Sequence, residues 1–157
     1  MEQGTEVFLR AMTANDVKDV AEIEKDCFSD AWSERLLYDM LESPYDEAWV
    51  LAASGGSLCG YMNVRFLAGE GELMRIAVKQ DFRGLGYSRK LMERMVKSAE
   101  EKEAYDLTLE VRAGNLAAIN LYKSYGFKKE AIRREYYKNP TEDAFIMWRR
   151  GLPGITT

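Results

Sequence analysis

The fold turns on one stretch, Val78-Lys79-Gln80-Asp81-Phe82-Arg83-Gly84-Leu85-Gly86-Tyr87-Ser88-Arg89. An apolar run, Leu73-Met74-Arg75-Ile76-Ala77-Val78, leads into it and reads as a strand. Beyond it, Leu91, Met92, Met95, Val96 and Ala99 recur at helical spacing as far as about Lys102. A strand, a glycine turn and a helix in succession present backbone N–H groups at a helix N-terminus, where an anion is favoured. Glycine removes the Cβ atoms that would hold a phosphate away, and Arg83, Arg89 and Lys90 add positive charge nearby. No Gly-Lys-Ser/Thr follows, so this is not a Walker loop, and the glycine spacing is not that of a dinucleotide fingerprint. From the residues alone two readings stand: an anion cradle, or a turn whose glycines serve geometry only.

Outward from this stretch, strand-like runs at residues 48–53, 58–66 and 71–78 are separated by Ser54-Gly55-Gly56 and Ala68-Gly69-Glu70, which predicts an antiparallel meander. Further upstream, residues 6–12 alternate as a strand. Thr13 opens a helix, with Asp16 placed as a capping-box partner and Val17, Val20, Ala21, Ile23 and Phe28 on its apolar side. Ser33 caps a second helix carrying Leu36, Leu37, Met40 and Leu41, ended by Pro44. Downstream, residues 106–112 alternate strictly, Asn115 caps a helix through Tyr125 that Gly126 ends, and two last strands flank Asn139-Pro140. The order β-α-α-β-β-β-α-β-α-β-β predicts an α+β fold with a mixed sheet, the helix after Gly86 forming a parallel crossover to the strand at Asp106.

The 157 residues fit one domain, read as spanning 1–157. No apolar run approaches the roughly 20 residues that cross a bilayer, and residues 1–10 lack the basic and apolar regions of a secretory signal. The expectation is a cytoplasmic protein without a membrane partner. Net charge is −4 and no basic stripe of useful length is present, which argues against direct nucleic-acid binding. There is no histidine. Histidine triads and histidine-rich zinc sites are thereby excluded, no metal is expected, and any general base is a carboxylate, tyrosine, lysine, cysteine or water. With no histidine to activate them, Cys27 and Cys59 read as structural thiols rather than nucleophiles.

Glu110 stands opposite Leu109 and Val111, in a polar set with Thr108 and Arg112. Either this face opens on a cleft, or the strand is an edge with a solvated face where Glu110 pairs with Arg112. Tyr122 shares a helix side with Ala118, Leu121 and Tyr125, which periodicity alone reads as core. Arg133, Arg134, Tyr136, Tyr137 and Lys138 form a basic and aromatic hairpin. It reads as a strand pair with one packed face, as a wall for a peptide, or as a nucleic-acid surface.

Arg83-x-x-Gly86-x-Ser88 resembles the pyrophosphate loop of GNAT acetyltransferases, Gln/Arg-x-x-Gly-x-Gly/Ala, with serine at the last small position. The segment from Leu109-Glu110-Val111-Arg112 through Asn115, Ala118, Ile119, Leu121-Tyr122 and Gly126-Phe127 is similar to the ribosomal-protein alanine N-acetyltransferases, or RimI-like enzymes. So are Ile132-Arg133-Arg134-x-Tyr136-Tyr137 and Glu142-Asp143-Ala144-x-Ile146-Met147. Phe28-x-x-x-Trp32-Ser33 looks like that family's Phe-Pro-Trp-Ser, without the proline and with a longer spacing between Phe and Trp. The resemblance is dense from about Leu73 to Trp148 and thin before it.

It implies the GNAT fold, a three-layer α/β/α sandwich with a mixed, mostly antiparallel sheet of six or seven strands and four helices. It implies acetyl-CoA as cosubstrate, contacted by Ile76, Ala77, Val78, Arg83, Gly84, Leu85, Gly86, Tyr87, Ser88, Arg89 and Asn115. Glu110 is the implied general base and Tyr122 the general acid, while Trp32, Tyr136 and Tyr137 line the acceptor groove. The implied acceptor is the α-amine of a protein N-terminus, first the N-terminal alanine of a small-subunit ribosomal protein, and the enzyme is a monomer or weak dimer. The alternatives are acetylation of a lysine side chain or small-molecule amine, and a non-catalytic acyl-CoA-binding module.

Overall fold

The computed structural model describes residues 6–151; residues 1–5 and 152–157, including half of the stretch read for a secretory signal, lie outside it. The elements are β1 (Val7–Ala11), α1 (Val17–Cys27), α2 (Glu34–Glu42), β2 (Asp46–Ala53), β3 (Leu58–Leu67), β4 (Glu70–Val78), α3 (Tyr87–Glu101), β5 (Asp106–Arg112), α4 (Leu116–Ser124), β6 (Lys128–Tyr137) and β7 (Glu142–Arg150). This is the expected order, and the sheet has seven strands. Their hydrogen-bonded neighbours run β1-β2-β3-β4-β5-β7-β6. Strands β4 and β5 run parallel, Glu70 opposite Asp106 through Leu73 opposite Leu109, so the helix after the glycine turn does make a parallel crossover. No helix among the described residues is long and apolar enough to cross a membrane.

The chain forms two compact units. One takes the chain up to Val64 with Met74–Arg94; the other takes Arg65–Leu73 and the chain from Met95 onward. The core of the first gathers Val17, Val20, Ala21 and Ile23 of α1, Leu37 and Met40 of α2, and Val50, Ala52, Leu58, Tyr61 and Ala77 of the strands. Burying each large apolar side chain contributes roughly 1.5–3 kcal/mol, so this set is what seats α1 and α2. A single 3-10 turn, Ala14–Asp16, precedes α1, because Asp16 is drawn into two jobs. It accepts the Thr13 N–H at 2.8 Å and takes both guanidinium nitrogens of Arg10 at 2.9 Å. The Arg10 hydrogen bond is also the main reason the Asp16 carboxyl lies below the usual range. Ser33 caps α2 by accepting the Leu36 N–H at 3.2 Å.

In the second unit β5 alternates as its sequence does. Leu107, Leu109 and Val111 are buried, with Phe127, Ala144 and Met147 also buried in this unit, while Thr108, Glu110 and Arg112 are partly open. Strand β5 has neighbours on both sides, so the edge-strand reading of Glu110 falls away. Asn115 caps α4 through its side-chain oxygen, which accepts the Ala118 N–H at 3.2 Å.

Candidate active site

In the first unit, β4 ends at Val78 and the glycine loop follows a 3-10 turn, Gln80–Phe82. Gly84 and Gly86 sit at φ +81° and +82°, and nothing stands within 4 Å of where a Cβ would project from either. Backbone conformation, not crowding, therefore demands glycine there. The result is a loop of open backbone ahead of α3. Leu85 and Arg89 are exposed, Ser88 is half-buried, and Tyr87 is buried with its ring 6.4 Å from that of Phe82. Arg83 points its guanidinium to the protein: Nε donates to the Val78 carbonyl at 2.8 Å and Nη2 to Cys27 Sγ at 3.3 Å. It braces the loop against β4 and α1. Ala77 and Val78 are buried and Ile76 is half-buried.

Burial pushes the Cys27 thiol up, outweighing the Arg83 hydrogen bond, and burial pushes Cys59 up as well. Both remain thiols at neutral pH, which makes them poor nucleophiles.

The segment between α1 and α2 is held by a group of residues not anticipated from the sequence. Glu24 of α1 is fully buried, and both its oxygens are occupied. Arg75 of β4 donates to it through Nε at 3.1 Å and Nη2 at 2.6 Å, the Trp32 N–H donates at 2.8 Å, and the Tyr61 hydroxyl donates to Oε2. The Arg75 guanidinium also lies over Phe28 (3.9 Å) and Trp32 (4.7 Å) and donates to the Asp30 carbonyl at 3.1 Å. Trp32 is thus fixed by both its backbone and its ring. A signal existed: Glu24 falls on the apolar stripe of α1 after Val17, Val20 and Ala21, and a carboxylate there needs a buried partner. Arg75 interrupts the apolar run Leu73-Met74-Arg75-Ile76-Ala77-Val78 in the same way.

In the second unit, Glu110 meets residues from β4 and β6. Its Oε2 is 2.7 Å from Arg133 Nε. Arg112, the partner considered from the sequence, is engaged with several other groups. It donates to the carbonyls of Lys138 (2.9 Å) and Pro140 (3.0 Å), pairs with Glu142 (3.4 Å) and lies 4.5 Å over Tyr137. Glu72, opposite Thr108 in the β4–β5 register, shares the Glu110 face. Burial, then the Glu110 charge, pushes the Glu72 carboxyl up. The Tyr136 hydroxyl is pushed up chiefly by the charge of Glu110, to which it is also hydrogen-bonded. Tyr122 is buried, its ring 6.2 Å from Phe127, and burial followed by Tyr137 raises its hydroxyl above the ordinary tyrosine value. The rings of Tyr136 and Tyr137 meet edge-on at 5.1 Å.

Of the residues singled out from sequence, Glu110 and Tyr136 stand together, Tyr122 feels the charge of Tyr137, and Asn115 begins the helix that carries Tyr122. Chemically, this unit presents a carboxylate able to take a proton and a phenol that stays protonated well into alkaline pH.

The Acetyltransferase (GNAT) family profile matches residues 17–127. The N-alpha-acetyltransferase RimI of Mycobacterium tuberculosis (strain ATCC 25618 / H37Rv) is 35% identical over 149 residues, covering 91% of this chain and 92% of its own. The [Ribosomal protein bS18]-alanine N-acetyltransferase of Escherichia coli (strain K12) is 31% identical over 141 residues, covering 88% and 94%. The crystal structure of the ribosomal-protein-S18-alanine N-acetyltransferase from Escherichia coli matches with a TM-score of 0.86 and 28% identity, over 97% of this chain and 100% of that one. The similarity therefore reaches well into the N-terminal half, where the motifs alone were thin. With the open glycine loop ahead of α3 and this match along most of its length, the chain belongs to the GNAT family and is an N-acetyltransferase.

Proposed function

We propose that the chain works as one domain that transfers acetyl from acetyl-CoA to the α-amine of a protein N-terminus, namely the N-terminal alanine of ribosomal protein bS18. The observation that carries this is the 31% identity, over 88% of the chain, to an enzyme named for that reaction. We further read it as a cytoplasmic monomer or weak dimer with no direct nucleic-acid contact.

Acetyl-CoA supplies a thioester carbonyl open to attack and a thiolate leaving group. The loop Gly84-Leu85-Gly86-Tyr87-Ser88-Arg89 receives its pyrophosphate on backbone N–H groups, and positive φ at both glycines keeps that surface free of Cβ atoms. Arg83 serves this site by bracing the loop. The backbone of Ile76, Ala77 and Val78 pairs with the pantetheine arm and holds the oxyanion. Asn115 meets the same arm, its side-chain oxygen also starting the helix of Tyr122.

An α-amine has a pKa of about 8, so a large share carries a proton at neutral pH and cannot attack. Glu110, acting through water, takes that proton. Arg133 holds one of its oxygens at 2.7 Å, which orients the carboxylate. Tyr122 then protonates the departing thiolate, and its raised pKa keeps the proton on the phenol until it is needed. Trp32, Tyr136 and Tyr137 line the acceptor groove. The raised Cys27 and Cys59 thiols favour direct transfer over a covalent acetyl-enzyme.

Acceptor profiling tests the reading through release of free CoA thiol. A peptide beginning Ala-Arg is expected to turn over, while polyamines and aminoglycosides stay inert. The reverse pattern would overturn the N-terminal assignment and move a small-molecule amine to the front.

A further inference from the structure

Strand β6 is irregular where it passes the active-site face. Arg133 is in register with Ala144 and Tyr137 with Glu142, so Arg134, Glu135 and Tyr136 together lie opposite Asp143 alone. At the centre of this bulge Glu135 has φ +50°, a left-handed conformation that a residue with a Cβ adopts reluctantly. One contact offsets that strain. The Glu135 N–H, which the bulge removes from the ladder, donates to Asp143 Oδ1 at 2.9 Å. The Asp143 backbone is anchored in turn, its carbonyl accepting the Ala113 N–H at 3.0 Å just past the end of β5.

The bulge changes which side chains meet. In a regular strand, residues three apart or adjacent face opposite sides of the sheet. Here Arg133 pairs with Glu110 at 2.7 Å, and Tyr136, three residues on, reaches the same carboxylate. Tyr137, adjacent to Tyr136, packs its ring against it at 5.1 Å and lies under Arg112. Without the extra residues, Tyr136 would turn to the other face. Bulges are used in this way beside active sites, to re-aim a side chain that alternation would send elsewhere.

We propose that Asp143 is a positioning residue: by holding the Glu135 bulge it keeps Arg133 and Tyr136 together on Glu110. This rests on Glu110 being the general base. Asp143 itself touches no reacting atom and acts through the geometry of β6.

The test compares wild type with Asp143→Ala, Asp143→Asn and the double variant Asp143→Ala/Glu135→Gly. The readouts are kcat and KM for the Ala-Arg peptide, acetyl-CoA affinity by calorimetry, and Tm. Asp143→Ala is expected to lower kcat/KM by about 10-fold or more, since small misplacements of catalytic groups carry costs of that order. Acetyl-CoA affinity is expected to stay within about 2-fold, because the Asp143 side chain holds Glu135 and none of the residues assigned to the cofactor. Asp143→Asn keeps an acceptor oxygen for the Glu135 N–H and stays within about 3-fold of wild type. Glycine takes positive φ without strain, so Glu135→Gly recovers most of the activity lost in Asp143→Ala.

Full activity in Asp143→Ala would overturn the proposal. So would a loss of acetyl-CoA affinity and Tm in step with activity, or no recovery in the double variant. Failure of the function reading looks different, since it appears in the wild type as silence toward the peptide despite acetyl-CoA binding. The same four proteins are then compared on the amine that the wild type does acetylate. Failure of the base assignment shows as full activity in Glu110→Gln.

Discussion

At the scale of single residues, the proposed proton handling assigns Glu110 and Tyr122 opposite tasks, and their surroundings suit them. Glu110 is partly open, beside Arg133, on a strand face that faces away from the core. Tyr122 is buried and its hydroxyl raised, so it carries its proton beyond pH 10, the value near which an ordinary tyrosine ionises. Glu110→Gln and Tyr122→Phe are each expected to lower kcat by about 100-fold or more in the CoA-release assay. The pH profile adds a sign. Because burial raises the Tyr122 value, wild-type kcat is expected to show no falling limb from this group up to about pH 10. A wild-type rate that falls between pH 8 and 9, together with Tyr122→Phe losing that limb, would count against Tyr122 as the acid. Glu110 was legible in the sequence because a carboxylate alternating with Leu109 and Val111 has to face something other than core. Its partners were not. Arg133 is far from it along the chain, and the adjacent candidate, Arg112, is taken up by Glu142 and the carbonyls of Lys138 and Pro140.

At the scale of elements, two close associations hold the loop and strand segments around the proposed site. The first is the buried Glu24 carboxylate, which joins α1 to Arg75 of β4, Tyr61 of β3 and the backbone of Trp32. Removing one member of a buried, hydrogen-bonded ion pair strands the other, at a cost of about 3–5 kcal/mol. Glu24→Ala is expected to lose that much stability in urea unfolding. Arg75→Met/Glu24→Met, which removes both charges, is expected to recover a good part of it. The second is the contact of β3 with β4 at Gly60, where an added Cβ would stand 2.6 Å from the Ala77 carbonyl oxygen. That atom is backbone and cannot swing aside, so Gly60→Ala has to displace the strand proposed to hold pantetheine. A stability loss of about 1–3 kcal/mol is expected, with weaker acetyl-CoA binding by calorimetry and little change in the alkaline behaviour of Tyr122. Unchanged acetyl-CoA affinity would show that the Ala77 backbone plays no part in holding it. Nothing in the sequence around Gly60 distinguishes it from a glycine in any other strand, since the crowding comes from a strand that follows one turn later.

At the scale of the whole molecule, stability carries the mark of its buried phenols. Tyr61 and Tyr122 are both raised above the ordinary tyrosine value, Tyr61 chiefly by burial and then by the Glu24 charge. A group raised in the folded state stabilises fully below its unfolded pKa, and that stabilisation is lost as pH rises past it. The unfolded tyrosines ionise near pH 10, so the urea midpoint is expected to hold between pH 7 and 9 and to fall above about pH 10. Tyr61→Phe is expected to make that fall shallower. A midpoint that rises above pH 10, or a fall equally steep in Tyr61→Phe, would contradict the assignment. Asp16 acts at the other end of the scale. Its lowered carboxyl contributes stability above the unfolded value near 3.9, which is lost as pH drops through the folded one.

The sequence by itself determined the element order, the parallel crossover across the glycine turn, and the polar face of β5. Each of these is written in local terms: hydrophobic period, capping residues, and glycines where φ is positive. The tertiary structure alone decided what the functional side chains meet. Long-range pairing brought Arg133 and Tyr136 to Glu110, turned Arg83 back onto Val78 and Cys27, and buried Glu24 against Arg75. The bulge at Glu135 is the sharpest case. Alternation predicts that Tyr136 and Tyr137 part company, and the irregular register of β6 against β7, where the Glu135 N–H donates to Asp143, brings them together. Local periodicity says which face a residue would take in a regular strand, and pairing with the neighbouring strand decides where the strand stops being regular.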